Sequence, residues 1–244
     1  MAELLTVDQV SKDFGGLRAV NRVSFAVRAG EIVGLIGPNG AGKTTLFNMI
    51  AGAYRPSAGR VLLRGEDITR LDAHQRCKRG IARSFQLVRP FPDLTVLENV
   101  AVGRVYGRDV VRSRRRAEAD ALELLERVGL GGREQIQAKY LTLVNRKRLE
   151  LARALATRPE LLLLDELLAG LNPTEVLEAM ALLRQLRDSG ITMIMVEHVV
   201  KAIFGISDRV VVMSAGERIA EGTPSEVGRD KRVIDAYLGA AHAA

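Results

Sequence analysis

One cysteine, no tryptophan and only 4% aromatic residues among 244 set the first limits on this chain. A lone thiol, Cys77, makes no internal disulfide, which excludes a disulfide-stapled scaffold and leads us to expect a reducing compartment. So few aromatic rings leave a single-stranded nucleic acid without a stacking platform. Long apolar runs are missing too. The stretches 161–164 and 191–196 fall far short of the ~20 residues that cross a bilayer. The start, Met1-Ala2-Glu3-Leu4-Leu5, has neither a basic opening nor an extended apolar region, so no secretory signal is expected. Histidine is scarce, and His74 and His242 stand in no ligand-like spacing, which argues against a protein-built zinc site.

What is present is an ordinary globular composition, 47% hydrophobic and 27% charged, long enough to bury a sizeable core. Lys and Arg number 36 against 29 Asp and Glu, a net charge of +7 that attracts phosphates in general. The densest basic run, Arg112-Ser113-Arg114-Arg115-Arg116, is followed by Glu118, Asp120, Glu123 and Glu126. That alternation reads as the solvated face of a charged helix, with contact to anionic head groups or a partner as the other reading. No nucleic-acid partner is expected.

Three Val- and Ile-rich segments, 4–10, 20–27 and 31–36, read as strands punctuated by Gly15-Gly16 and Ala29-Gly30. From Thr95 to about Pro159 the character becomes helical. Ala121, Leu124, Leu125 and Val128 fall on one face, and Gly129, Gly131 and Gly132 end that helix. An apolar strand at 161–164, a helix opened by Asn172-Pro173 and running to about Asp188, and a second apolar strand at 191–196 follow. Segments 209–213 and 218–221 flank Ala215-Gly216 as a hairpin. No internal repeat or long linker interrupts the chain.

Gly37-Pro38-Asn39-Gly40-Ala41-Gly42-Lys43-Thr44-Thr45 carries the strongest chemical signal, with a strand before it and a helix after it. Its glycines let the N–H groups of Asn39, Gly40, Ala41 and Gly42 turn inward around a phosphate chain, and the helix N-terminus adds its positive end. Lys43 would reach the β- and γ-phosphates and the Thr44 hydroxyl would ligate Mg²⁺. A nucleoside triphosphate is the expected ligand. The second signal is Leu161-Leu162-Leu163-Leu164-Asp165-Glu166, a strand apolar on both faces whose charged end emerges at the carboxyl edge of a sheet. There Asp165 can hold Mg²⁺ through water, and Glu166 can orient or deprotonate an attacking water.

With these motifs the sequence resembles the ATP-binding subunits of ABC transporters over nearly its whole length. The resemblance implies an α/β fold: a P-loop ATPase core with a mixed sheet, an N-terminal antiparallel β subdomain and an inserted α-helical subdomain. Residues 1–91 and 160–244 would form the core and β subdomain, and 92–159 the helical insertion. It implies ATP and Mg²⁺ as ligands and ATP hydrolysis as the activity. Lys12-Asp13-Phe14-Gly15-Gly16-Leu17 resembles the family's adenine-stacking loop, nominating Phe14 for the base. Ser84-Phe85-Gln86 matches the loop whose glutamine contacts Mg²⁺ and the attacking water. Ala169-Gly170-Leu171-Asn172-Pro173-Thr174 resembles the dimer loop. Val196-Glu197-His198 ends a strand as the family's switch histidine does, which would let His198 donate to the γ-phosphate. Within the family, Arg83-Ser84-Phe85-Gln86, Phe91-Pro92-Asp93-Leu94-Thr95, Ala169 through Glu175 and Ala220-Glu221-Gly222-Thr223-Pro224 are most similar to the branched-chain amino acid importers. Urea or amide importers and lipopolysaccharide exporters are the neighbouring alternatives. A non-transport ABC ATPase and a purely regulatory nucleotide-binding subunit are the readings from other classes.

One motif departs from the family. Where the signature is normally Leu-Ser-Gly-Gly-Gln, this chain has Leu141-Thr142-Leu143-Val144-Asn145 before a basic helix. Thr142 keeps a hydroxyl, but Leu143 and Val144 add Cβ atoms where glycines permit close approach to a phosphate. In the family the signature of one subunit closes on the phosphate loop of the other, so the expected partner is a second, different ATP-binding subunit. Transmembrane permeases and, indirectly, a solute-binding protein complete the assembly. The resemblance implies a peripheral location at the cytoplasmic face of the inner membrane. Phe91 and Leu94 are apolar residues for a permease helix to dock on, or for the insertion itself to cover.

Overall fold

The computed structural model describes residues 2–84, 90–197 and 199–241; Gln86 and His198 therefore lie outside the described residues. Two long strands, β1 (Glu3–Phe14) and β2 (Leu17–Arg28), form a hairpin that extends beyond the sequence-expected 4–10 and 20–27. The reason is its tight connection, Gly15-Gly16, in which Gly15 takes φ +55° and lets Phe14 pair directly with Leu17. With β4 (Ala58–Leu63) and β5 (Glu66–Asp67) they make an antiparallel sheet in the order β2-β1-β4-β5.

The second sheet has six strands, in the order β10-β9-β3-β8-β7-β6. These are β3 (Ile32–Ile36), β6 (Ile81–Arg83), β7 (Leu161–Asp165), β8 (Thr192–Val196), β9 (Arg209–Ser214) and β10 (Glu217–Gly222). All neighbours pair in parallel except β9 and β10, the hairpin expected around Ala215-Gly216. The central strands are buried throughout, as a parallel sheet covered on both faces must be. Alternate residues feed two cores. Leu161, Leu163, Ile194, Val196, Val33 and Leu35 pack toward the β sheet and α1 (Lys43–Ala51). Leu162, Leu164, Met193, Met195, Ile32 and Ile36 pack toward the helices on the other face.

Those helices include α3 (Val96–Tyr106), α4 (Arg114–Arg127) and α5 (Leu143–Ala156), which bundle together between β6 and β7. Helix α4 ends where the glycine cluster begins, with Gly129 in the left-handed region. Ser113 caps its start and Arg114 pairs with Glu118 one turn on, both on the exposed surface. After β7, α6 (Pro173–Asp188) opens with a reciprocal cap between Asn172 and Glu175 and with proline in its first turn. Helices α7 (Val200–Ile206), α8 (Pro224–Val227) and α9 (Lys231–Ala241) close the chain around the β9–β10 hairpin; α2 (Ala73–Lys78) lies beside β6. Among the described residues no helix is long and apolar enough to cross a membrane.

Candidate functional site

Strand β3 delivers its last residue into a loop that only glycine can follow at two points. At Gly37, φ is +152° and a Cβ would lie 2.1 Å from the Met213 carbonyl oxygen; at Gly42, φ is +94° and a Cβ would lie 2.4 Å from that of Ala19. The loop is thus pressed against β9 and β2, and any side chain at either glycine would push it open. The first hydrogen bond of α1 runs from the Leu46 N–H to the Gly42 carbonyl. The N–H groups of Lys43, Thr44 and Thr45 precede it and face the open end of the helix. Lys43 is buried, and its Nζ donates to the carbonyls of Gly37 (2.7 Å) and Pro38 (2.9 Å). Burial pushes its pKa down, opposed by the negative charge of Glu166. Asn39, Gly40 and Thr44 are exposed, while Ala41 is buried against the β sheet.

The carboxyl end of β7 brings Asp165 and Glu166 to the same edge as this loop, two strands away across β8. Asp165 is buried, its N–H donates to Ser84 Oγ at 3.2 Å, and its Oδ2 accepts from Arg83 Nη2 at 2.7 Å. Arg83 also bonds Asn48 on α1 and lies over the Phe47 ring, so one guanidinium ties the acid to the phosphate-loop helix. Glu166 takes φ +50°, a left-handed conformation unusual for a residue with a side chain, and its N–H donates to the Val196 carbonyl at 2.8 Å. Such strain is held only where the surroundings over-determine it, and it concentrates at functional sites.

Phe14, at the tip of the β1–β2 hairpin, is 43% exposed and meets Tyr54 edge to face with centroids 5.5 Å apart. Lys12 Nζ stands 5.2 Å from the Phe14 centroid. Phe14 is a presented ring, not a packed core residue. Phe91 is also partly open, with one face covered by the Arg153 guanidinium at 4.9 Å. The altered signature opens α5: Thr142 is its N-cap, with Oγ1 accepting from the Asn145 N–H at 3.4 Å. Leu143 is half exposed, and its Cδ2 lies 3.2 Å from where a Cβ on Gly170 would stand, so the signature touches the Ala169–Thr174 loop.

Three features escaped the sequence. Arg83 stands inside a quoted motif but carries no sign of its pairing with Asp165. Burial pushes the Tyr237 phenol of α9 up, opposed by the backbone of Gly37 in the phosphate loop; a single tyrosine near a chain end gives no signal for this proximity. Lys147 and Glu197, both buried, contact the turn after Glu166 and had no assigned role.

The ABC transporter family model matches residues 20–169, and a second model, for the branched-chain amino acid ATP-binding cassette transporter, matches 217–243. The chain is 43% identical to the high-affinity branched-chain amino acid transport ATP-binding protein LivG of Escherichia coli, covering 98% of both. It is 39% identical to the lipopolysaccharide export system ATP-binding protein LptB of the same species, covering 96% of this chain and 97% of LptB. The solved ADP conformation of MJ1267, an ATP-binding cassette of an ABC transporter, superimposes with a TM-score of 0.89 at 31% identity, over 98% of this chain and all of that one. With the phosphate loop, the strained acid and the two-sheet framework in place, the chain belongs to the ABC transporter family and is one of its nucleotide-binding ATPase cassettes.

Proposed function

We propose that the chain hydrolyses ATP to drive import of branched-chain amino acids through membrane permeases. The observation that carries the substrate class is the match of residues 217–243 to the branched-chain amino acid cassette model, because LivG at 43% and LptB at 39% identity are nearly equally similar over almost the whole chain. Similarity to LptB is the specific support for the second reading, lipopolysaccharide export. Residues 92–159 serve as the helical subdomain between the core segments 1–91 and 160–244.

In the site, the polyphosphate takes the place that the Gly37 and Pro38 carbonyls hold on Lys43, and the N–H groups of residues 39–45 surround it. Phe14 offers its exposed ring to the adenine. The residues fit Mg²⁺ brought with the phosphates. Among the described residues there is no cluster of three or more potential metal-ligating side chains. Thr44 would hold the cation by its hydroxyl and Asp165 through water, with phosphate oxygens supplying further ligands. Bound there, Mg²⁺ neutralises charge that develops on the transferring phosphoryl group. Glu166 accepts the proton of the attacking water as its oxygen bonds the γ-phosphorus and the bond to the ADP oxygen breaks. Gln86 and His198 keep the roles implied by the resemblance, in contacting Mg²⁺ and water and in donating to the γ-phosphate.

Because Leu143 and Val144 stand where a partner's nucleotide must approach, the working cassette pair joins this chain to a different ATP-binding subunit. Permeases then seat the pair at the cytoplasmic face of the inner membrane, with a solute-binding protein supplying substrate. Glu166→Gln is expected to retain ATP affinity and lose turnover; normal turnover would remove Glu166 from the reaction. Transport by membrane vesicles carrying the chain with its co-purifying permeases separates leucine uptake from lipopolysaccharide release.

A further inference from the structure

The turn that follows Glu166 is gripped from two sides by buried charges. Lys147, 7% exposed on the second turn of α5, donates from Nζ to the carbonyls of Leu167 (2.7 Å) and Glu166 (3.1 Å). Glu197, 3% exposed and just beyond β8, accepts the Leu168 N–H on Oε1 at 2.7 Å. With the Glu166 N–H bonded to Val196, both main-chain polar groups of Glu166 and one on each of the next two residues are fixed. Charge-assisted bonds of this length are the strong ones, and they hold a residue that is otherwise strained at φ +50°.

We propose that Lys147 and Glu197 are positioning residues that set the orientation of Glu166, and that Lys147 makes this orientation depend on the placement of the signature helix. The proposal rests on reading Glu166 as the base. Thr142 caps α5, and Leu143 to Asn145, the tip that faces a partner's nucleotide, and Lys147 lie in its first two turns. A hydrogen bond at 2.7 Å is lost within roughly 1 Å of stretching, so retreat of α5 from the core releases the turn. Advance of α5 re-forms it. A signature engaged on the partner's nucleotide thereby readies Glu166 of its own chain, and a disengaged one leaves it unaligned. Lys147 is desolvated, which pushes its pKa down, while Glu197, Glu150 and Glu166 act to keep it charged.

The test uses the full chain purified with the subunits that accompany it, and compares Lys147→Met, Lys147→Arg and Glu166→Gln. Lys147→Met is expected to lower kcat at least tenfold with KM for ATP within twofold of the original, and Lys147→Arg to restore most of the rate. Turnover of Lys147→Met within twofold of the original, where Glu166→Gln is inactive, overturns the positioning role alone. A KM that rises as much as kcat falls also overturns it, because the nucleotide site as a whole is then damaged. Turnover retained by Glu166→Gln overturns the underlying reading instead. If Lys147→Met assembles poorly, hydrogen exchange of the Leu168 and Ala169 amides in Lys147→Gln decides. Exchange at least tenfold faster supports the grip, and unchanged exchange overturns it.

Discussion

Arg83 Nη2 lies 2.7 Å from Asp165 Oδ2 in an ion pair whose side chains are 15% and 5% exposed. Removing one member of such a pair strands a charge away from water. Arg83→Met should lower the unfolding free energy by about 3–5 kcal/mol in urea titrations without nucleotide. With saturating Mg²⁺ and ATP the difference from the original chain should narrow, because the cation gives Asp165 a new counter-charge. An unchanged gap would separate Asp165 from the metal site.

Lys43 supplies a pH signature of binding. Burial lowers its pKa in the free protein, and arriving phosphates favour the ammonium and raise it. ATP affinity should therefore fall as pH rises through the free-state value, and binding at alkaline pH should take up a proton. Calorimetry in buffers of different ionisation enthalpy measures that uptake, and Lys43→Ala should abolish it along with most of the affinity.

The signature substitutions predict an asymmetric repair. Leu143→Gly with Val144→Gly removes the side chains that obstruct the partner's nucleotide. Turnover at the partner's phosphate loop should rise about tenfold, equivalent to 1.4 kcal/mol of barrier, and the site of this chain should gain less, through the alignment of its own Glu166 by the engaged signature helix. Mixing with a partner whose own phosphate-loop lysine is replaced reads the two sites separately.

Glu31 and Arg209 provide an acid-sensitive clasp between β3 and β9. Desolvation raises the Glu31 pKa, but the Arg209 hydrogen bond and the Arg28 N–H outweigh it and leave the group below its usual 4.5. Its contribution is complete above about pH 4.5 and disappears as pH falls through the lower folded value. Denaturant midpoints should drop across that window, and Arg209→Met should flatten the drop while destabilising the chain at neutral pH.

The parts legible in sequence are those whose signal is local. The phosphate loop follows from glycine spacing, β7 from an apolar run ending in two acids, and the start of α6 from Asn172 and Pro173. The β1–β2 hairpin is longer than its apolar core because Gly15 permits pairing up to the turn. The interactions that fix the acids are of another kind. Arg83 with Asp165, Lys147 with the Leu167 carbonyl and Glu197 with the Leu168 N–H join residues far apart in the chain, often a side chain to a main-chain group. Arg76 is fully buried and donates to the Met49 and Ile50 carbonyls at the end of α1, with no carboxylate accepting from it among the described residues, and no periodicity announces it. Gln86 and His198 rest on the motif resemblance alone.

The order of strands in the larger sheet has a consequence for biosynthesis. β3, which carries the phosphate loop, emerges early from the ribosome, yet its neighbours are β8 and β9, with Ile32 beside Met193 and Val33 beside Arg209. Pairings so distant in sequence form slowly, since a long loop must close before they are rewarded. A nascent chain displaying every residue of the Gly37–Thr45 motif has β2 but still lacks β9, which presses on Gly37, and β8, which flanks β3 on its other side. Nucleotide capture therefore marks the end of synthesis and not its midpoint.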